Sequence, residues 1–329
     1  MSPRILLVRT DRLGETILTL PAMHALRQAM PDATLILMVS AAIYELVAQH
    51  PDATEVMAEP AGTGPWWQRA YRLGRLWRSW HVGTVIIANP KKEYHLAAWL
   101  AGIPRRVGYD CKWAGLLTHR VPKRTALGGR HEVDCNLDLV RRLGLPASVP
   151  EWRWPPLARE RDDVVRLLAE QGLHPSELWV AIHPWSSHPG KQWPLSRYRE
   201  VIRAMSQASS MKVVLIGGSE ERARAQAVLP TQGQVANVVG RLTLKQLAAL
   251  LQHARLLISN DSGPVHLAAA MGTPTVVLFG SSDPSTGPTR WGPWGQGHTV
   301  ICKPCMEQIG VEEVLQAIFK YVSGVMRNA

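Results

Sequence analysis

No apolar run in this sequence approaches the ~20 residues that a membrane-spanning helix requires. The first run, residues 5–8, is also too short for the apolar core of a signal peptide, and no small-residue cleavage site follows it. Four cysteines among 329 residues are too sparse for the disulfide framework of a small secreted protein. The sequence therefore predicts a cytoplasmic globular protein whose first strand is residues 5–8.

Several common signatures of function are missing as well. There is neither a G-x-G-x-x-G dinucleotide fingerprint nor a G-x-x-x-x-G-K-[ST] phosphate loop, which disfavours a Rossmann dehydrogenase and a P-loop NTPase. Cys302 and Cys305 form a single C-x-x-C without a second pair or a histidine at zinc-finger spacing. Free thiols are the simpler interpretation of this pair, and a metal or redox role is the alternative. We predict no metal site and no cofactor.

The charge is strongly basic. Lys and Arg total 37 against 26 Asp and Glu, which gives a net charge of +11. Solubility alone could explain this excess, and the alternatives are a nucleic acid, an anionic membrane or an acidic substrate as partner. Because the chain has no dense Lys/Arg block, we do not expect a nucleic-acid module.

Short apolar runs alternate with helical stretches along the first half of the chain. Residues 5–8, 35–39, 56–57 and 85–88 are predicted strands, and residues 16–30 form a predicted helix with one apolar stripe. This alternation predicts a doubly wound parallel sheet. Ligands of such sheets bind where the carboxyl ends of the strands meet.

A Pro- and Trp-rich stretch, residues 146–156, has the composition of a linker, and the alternation restarts after it. The predicted strands there are residues 179–182, 213–216, 238–239, 256–259 and 275–279. We therefore predict two domains, residues 1–155 and 156–329. Two Rossmann-like α/β halves with a cleft between them are the GT-B arrangement, in which a terminal helix, here residues 311–326, often crosses back to the first domain.

The most informative stretch is residues 256–280, which is predicted as strand, tight turn, Ala-rich helix and strand. Asn260, Asp261, Ser262 and Gly263 form the turn, and Gly272 closes the helix. Exposed main-chain amides and the positive end of the helix dipole meet at such a turn, which predicts an anion site. His266 lies about one turn into the helix and is predicted either to face this site or to pack in the core.

Three more loops follow predicted strands. Gly14 and Glu15 lie in the first, where Glu15 is a candidate general base with Asp11 as the rival carboxylate; Glu15 could also merely complement the helix dipole. One of the other two loops offers the hydroxyls of Ser186 and Ser187 and the cation of Lys191, which suit a diphosphate. The other offers the carboxylates of Glu220 and Glu221, which suit a ribose. Both loops could instead be ordinary surface turns.

Tryptophans are concentrated in one arginine-rich helical segment that contains Trp66, Trp67, Trp77 and Trp80. Their spacing favours an amphipathic helix that packs on the sheet with its arginines in water. Docking on a membrane surface and lining an acceptor groove are the alternatives.

The loops and turns that follow the predicted strands resemble those of glycosyltransferase family 9, the heptosyltransferases of lipopolysaccharide inner-core assembly. The similarity extends over nearly the whole chain, and its longest part is quite specific. The matching segments are residues 13–15 with 20–22, 131–137, 186–194, and 260–270 continuing through 279–280 and 283–284.

The resemblance implies a GT-B glycosyltransferase that moves heptose from ADP-heptose with inversion and without an obligatory metal. Glu15 would be the base, and Ser186, Ser187, Lys191, Asp261, Ser262, Gly263 and His266 would surround the diphosphate. Glu220 or Glu221 would hold the ribose, and Leu242 would wall the adenine. The acceptor would be a phosphorylated glycolipid, and the enzyme would be peripheral on the inner face of the bacterial inner membrane.

The chain departs from the family pattern at two places. Glu15 stands where the family usually has Asp, which moves the carboxylate by roughly 1 Å, enough to affect rate. The segment at Cys302 and Cys305 is shorter than the Cys-rich stretch of many relatives. Two alternatives remain open: a nucleotide-binding protein that has lost catalysis, and a transferase that uses another nucleotide sugar.

Overall fold

A computed structural model describes residues 2–122, 129–149, 152–174, 176–208, 212–230 and 235–323. The chain divides into two compact units, Met1–Trp152 and Arg153–Ala329. The division lies three residues before the predicted boundary at 155/156.

The first unit contains a six-stranded sheet in which every neighbouring pair is parallel. Its strand order, β3-β2-β1-β4-β5-β6, makes β1 and β4 the central pair at which the winding reverses. The strands are β1 (Arg4–Arg9), β2 (Thr34–Val39), β3 (Glu55–Ala58), β4 (Thr84–Ile87), β5 (Arg105–Asp110) and β6 (His119–Pro122).

Six α-helices accompany this sheet in the described residues, and the predicted single helix over residues 16–30 is wrong. It is two helices that are separated at Leu18 and Thr19, because Pro21 lies in the first turn of the second helix and pre-sets its start. The helices are α1 (Leu13–Ile17), α2 (Leu20–Ala29), α3 (Ala41–Val47), α4 (Trp66–Ser79), α5 (Lys92–Leu100) and α6 (Glu132–Arg141).

The second unit repeats the same winding. Its six parallel strands follow the order β12-β11-β10-β7-β8-β9, so β7 and β10 are the central pair. The strands are β7 (Trp179–His183), β8 (Lys212–Leu215), β9 (Val235–Asn237), β10 (Leu256–Asn260), β11 (Thr275–Phe279) and β12 (Thr299–Cys302). The predicted strand at 238–239 is wrong, because the extended segment ends at Asn237.

The second unit's helices bury their apolar stripes in its own core. Val314, Ala317 and Ile318 of the last helix lie in that core. That this helix also crosses back to the first unit stays a prediction. Of the predicted helix 311–326, residues 324–326 lie outside the described residues. The helices are α7 (Ala158–Glu170), α8 (Leu195–Ala208), α9 (Leu244–His253), α10 (Gly263–Met271), α11 (Pro288–Trp291) and α12 (Val311–Ser323).

Most strands are buried along nearly their whole length, as continuous apolar runs in parallel sheets require. Among the described residues, none of the helices is both long and apolar enough to cross a membrane.

Candidate functional site

The central pair of strands in the second unit, β7 and β10, ends at a group of polar residues. His183 closes β7 and pairs in register with Ser259 of β10. In doubly wound sheets the crevice at this reversal of strand order is where ligands bind. The loops that follow both strands therefore meet at one place in the second unit.

The predicted turn into the Ala-rich helix is confirmed. α10 begins at Gly263 after Ser262, whose backbone is extended, and ends at Gly272 with a left-handed φ of 80°. The amides of Ser262 and Gly263 donate no hydrogen bond within the described ranges, and Pro264 has no N–H. Two main-chain donors at the positive end of a helix are thus available to an anion.

Lys191 lies beside this turn. It ends a short 3₁₀ turn in the loop after β7, and its ammonium donates to the Asp261 carboxylate at 2.5 Å. The Asp261 side chain is 9% exposed, and burial raises its pKa although Lys191 opposes the rise. The Lys191 side chain is 40% exposed, so its ammonium can reach a second anion.

Asn260 fixes the loop that carries Lys191. Its side-chain oxygen accepts hydrogen bonds from the Trp193 amide at 3.0 Å and the Tyr198 hydroxyl at 2.9 Å. Its amide nitrogen donates to the carbonyls of Pro184 at 2.9 Å and Trp185 at 3.4 Å. Because Asn260 is fully buried, each of these bonds replaces solvation that the loop has lost. The sequence marked Asn260 only as a turn former.

His183 was not among the predicted site residues. Its Nδ1 lies 3.2 Å from the Ser259 hydroxyl and 3.3 Å from the Ser262 hydroxyl, and these two hydroxyls are 2.9 Å apart. Burial lowers the pKa of His183 to about 4, so the ring is neutral at physiological pH. A neutral ring can order the two hydroxyls at the turn before α10 without adding charge.

The remaining predicted diphosphate residues lie on the same two loops. Ser186 is half-buried and its hydroxyl accepts from the His188 amide at 3.3 Å, whereas Ser187 is exposed. His266 is buried in the first turn of α10, at 4% exposure. This burial fits the packing alternative, and the position beside the turn fits the functional one.

The predicted ribose loop follows β8 and is tightly packed. A Cβ on Gly217 would lie 2.5 Å from Nε1 of the buried Trp185. The Glu221 carboxylate accepts from the Gly218 amide at 2.5 Å and caps the following 3₁₀ helix, whereas Glu220 is exposed. Glu220 is therefore the carboxylate of this loop that can bind a ligand. Leu242 is half-buried just before α9.

In the first unit, α1, which begins after the loop that follows β1, carries the candidate base. Glu15 is the third residue of α1, as expected for the start of a helix, and it is half-buried. Burial raises the pKa of Glu15, and the negative charge of Asp11 adds to the rise while Arg9 and Arg12 oppose it. A raised pKa makes this carboxylate a stronger base than an exposed one.

The rival carboxylate, Asp11, is bound to a buried arginine. The Arg9 guanidinium donates to Asp11 at 2.8 Å, and to Glu132 and Asn136 of α6 at 3.3 Å each. These bonds hold the loop after β1 against α6. Asp11 is thus largely engaged in an ion pair, which favours Glu15 as the base.

No group of three or more His, Cys, Asp or Glu side chains is placed to hold a metal ion in the described part of the chain. Cys302 and Cys305 are both free and half-buried, and the Cys302 thiol contacts the Ser281 carbonyl at 3.5 Å.

Comparisons with known proteins agree with this geometry. Residues 94–318 match the sequence pattern of glycosyltransferase family 9 (heptosyltransferase). The chain is also similar to lipopolysaccharide heptosyltransferase 3 of Escherichia coli K12, with 26% identity over 335 residues that cover 94% of this chain and 91% of the relative.

Two solved structures have the same fold. The glycosyl transferase family 9 protein of Veillonella parvula superposes with a TM-score of 0.86 at 22% identity, over 98% of this chain and 97% of that one. The E. coli ADP-heptose lipopolysaccharide heptosyltransferase II gives a TM-score of 0.81 at 20% identity, over 99% and 100%. The predicted GT-B class, with two doubly wound Rossmann-like domains, is confirmed.

Proposed function

The chain belongs to glycosyltransferase family 9 (heptosyltransferase), and from this premise we propose that it moves heptose from ADP-heptose to an acidic, phosphorylated acceptor of the lipopolysaccharide inner core. The names of the E. coli relatives support both the lipopolysaccharide pathway and the ADP-sugar donor. In this reaction the acceptor oxygen attacks the anomeric carbon as the bond to the diphosphate breaks. Single displacement inverts that carbon, and no metal cofactor is required.

The second unit binds the donor in this proposal. Lys191 and the amides of Ser262 and Gly263 stabilise the negative charge that develops on the departing diphosphate, with Ser186 and Ser187 as further donors. Electrostatic stabilisation of this kind is usually the largest contribution to an enzyme's rate enhancement. Glu220 accepts hydrogen bonds from the ribose hydroxyls, and Leu242 contacts the adenine.

The first unit supplies the base. Glu15 takes the proton from the acceptor hydroxyl as the new bond forms, which places negative charge on the attacking oxygen when it is needed. Its half-buried position and raised pKa support this role. Arg9 keeps Asp11 paired and so leaves Glu15 as the available carboxylate.

The partners follow from charge. A net charge of +11 complements a phosphorylated glycolipid and an anionic membrane surface, and we propose that the enzyme works in the cytoplasm, peripheral to the inner membrane. We propose no nucleic-acid partner.

The observation that carries the proposal is the Lys191–Asp261 pair beside the free amides of Ser262 and Gly263. The test measures transfer from ADP-heptose with wild type, Glu15→Gln and, as a matched control, Glu45→Gln on the exposed face of α3. We expect Glu15→Gln to lower kcat about 100-fold or more and the control to be unchanged. Normal turnover of Glu15→Gln would exclude it as the base.

Thermal melts with ADP, UDP and GDP distinguish the alternatives. Stabilisation by ADP together with transfer supports the proposal. Stabilisation by another diphosphate alone indicates a different nucleotide sugar, and stabilisation by ADP without transfer to any acceptor indicates a nucleotide-binding protein.

A further inference from the structure

In the described part of the first unit, five large aromatic side chains are exposed, although aromatic rings usually lie in the core. One of them, Tyr44, lies on α3, and the other four are on α4, on α5 or in the loop after β5. Trp67 and Tyr71 of α4 are 54% and 55% exposed, Trp99 of α5 is 53% exposed, and Trp113 in the loop after β5 is 38% exposed. We call this set the aromatic surface. The expected packing of the tryptophan-rich helix holds for Trp77, which is fully buried, but not for Trp67.

The two helices of the aromatic surface lie side by side and begin at the same end. The Arg69 guanidinium donates to Glu93 at 2.7 Å near their starts, and Arg78 donates to the Leu100 carbonyl near their ends. Both helices bury their opposite faces in one core. Their exposed residues therefore lie on the same side of the sheet.

Trp113 belongs to this surface through its contacts. Its ring meets that of Trp66 edge-on with centroids 5.4 Å apart, and the Lys92 ammonium lies 4.5 Å from the Trp66 ring centroid. Trp113 adopts a left-handed backbone, with φ at 74°, that a bulky residue rarely adopts. Such strain is usually found where a function requires a particular side-chain position.

The charge along α4 and the segments that flank it has one sign. Residues 60–92 contain no Asp or Glu but four arginines and two lysines. Arg72, Arg75 and Arg78 are exposed on α4, while the next acid, Glu93, is buried and paired with Arg69. Exposed Trp and Tyr beside exposed arginines are typical of surfaces that lie in the headgroup region of an anionic membrane.

We propose that the aromatic surface docks on anionic phospholipid, with α4 and α5 lying against the membrane plane. The inference rests on the proposed function in one respect: a glycolipid acceptor gives the enzyme a reason to sit on a membrane. Trp67, Tyr71 and Trp99 enter the headgroup region, and the arginines of α4 pair with lipid phosphates. A nucleic acid could use the same residue types, but the sequence has no dense Lys/Arg block of the kind that a nucleic-acid module carries.

The test measures binding of the full chain to vesicles of phosphatidylglycerol with phosphatidylethanolamine, and to phosphatidylcholine vesicles, by co-sedimentation. Trp67→Ala/Tyr71→Ala and Arg72→Gln/Arg75→Gln are compared with matched controls on the second unit, Leu178→Ala and Arg159→Gln/Arg203→Gln. All of these side chains are exposed, so the variants are expected to fold, and thermal melts check this.

We expect binding to the anionic vesicles alone. Each removed arginine should weaken it about five-fold and the aromatic pair about ten-fold or more, whereas the controls should bind as wild type does. Transfer to a delipidated, water-soluble acceptor should be equal in every variant.

Equal vesicle binding by the surface and control variants would overturn the proposal, as would no vesicle binding by wild type. Binding of a single-stranded oligonucleotide that is lost in the surface variants, without vesicle binding, would assign the surface to nucleic acid instead. Loss of transfer in every protein, with vesicle binding as expected, would contradict the proposed function and leave the docking surface standing.

Discussion

The Lys191 ammonium and the Asp261 carboxylate lie 2.5 Å apart, although 70 positions separate them in the sequence. Asp261 is the more buried partner, and its ion pair holds the Lys191 ammonium beside the turn at Ser262 and Gly263. In the proposed mechanism, a cation held beside free main-chain amides is in place before the diphosphate arrives. Binding then needs little reorganisation, which is the condition under which fixed charges accelerate a reaction most.

Lys191→Met should lower kcat about 100-fold, because it removes the cation that stabilises the departing diphosphate. Asp261→Asn should also lower activity, since Lys191 loses the partner that positions it. The double variant should be little worse than the worse single one, as expected of residues in contact. Steady-state kinetics of the three variants check this, and fully additive effects would show that the pair does not act as a unit.

The pH dependence of transfer should report Glu15. Because its pKa is raised, the acid limb of kcat/KM should lie above the ordinary glutamate value of about 4.3, and activity should fall as the pH drops through that limb. Glu15→Gln should lose the limb together with most of the rate. A pH–rate profile of wild type with an acid limb at or below the ordinary value would contradict the burial argument.

Stability of the second unit should fall in mild acid because of His183. Its pKa is lowered from 6.5 to about 4, so between these values the unfolded chain binds a proton that the folded chain refuses. Stability is therefore complete above pH 6.5, and about 3 kcal/mol is lost on going down to pH 4.

Hydrogen exchange of the second unit's strands measures this loss. The loss of stability should be smaller in His183→Gln than in wild type and unchanged in His188→Gln, whose side chain is exposed. Following this unit separately matters, because His50 in the first unit also has a pKa lowered to about 4.

Gly217→Ala should destabilise the second unit by about 1–3 kcal/mol, since the new Cβ would meet the buried Trp185 ring at 2.5 Å. Gly190→Ala is the matched control, because nothing lies within 4 Å of its added Cβ. Thermal melts compare the two variants. Equal melting temperatures would mean that Trp185 can move aside without loss.

The alternation of apolar runs was enough to predict both doubly wound sheets, because central parallel strands are apolar on both faces. Four strands at or near the sheet edges, β5, β6, β9 and β12, were missed. β5 carries Arg105, Arg106 and Asp110, and such charged edges hide the apolar pattern. The break between α1 and α2 did leave a signal, Pro21, which the apolar stripe obscured.

The site was predictable at the level of loops and not of contacts. Strand ends and turn residues indicated the loops of Lys191 and Ser262 in the second unit and of Glu15 in the first, because the parallel strands of each sheet bring their carboxyl ends to one edge. The roles of these residues stay predictions. The bonds of Asn260 and the ring position of His183 depend on loops that are distant in sequence, which no local pattern encodes. A polar residue that ends a central strand is the signal that could have found both.

The buried Arg9 has a consequence for synthesis of the chain. Its partners Glu132 and Asn136 follow 123 and 127 positions later, on the last helix described for the first unit. A nascent chain that ends before them holds this guanidinium in the central strand with Asp11 as its one carboxylate partner, and an uncompensated buried charge is strongly destabilising. On the ribosome, the charge pairing of Arg9 is therefore completed only after α6 has emerged.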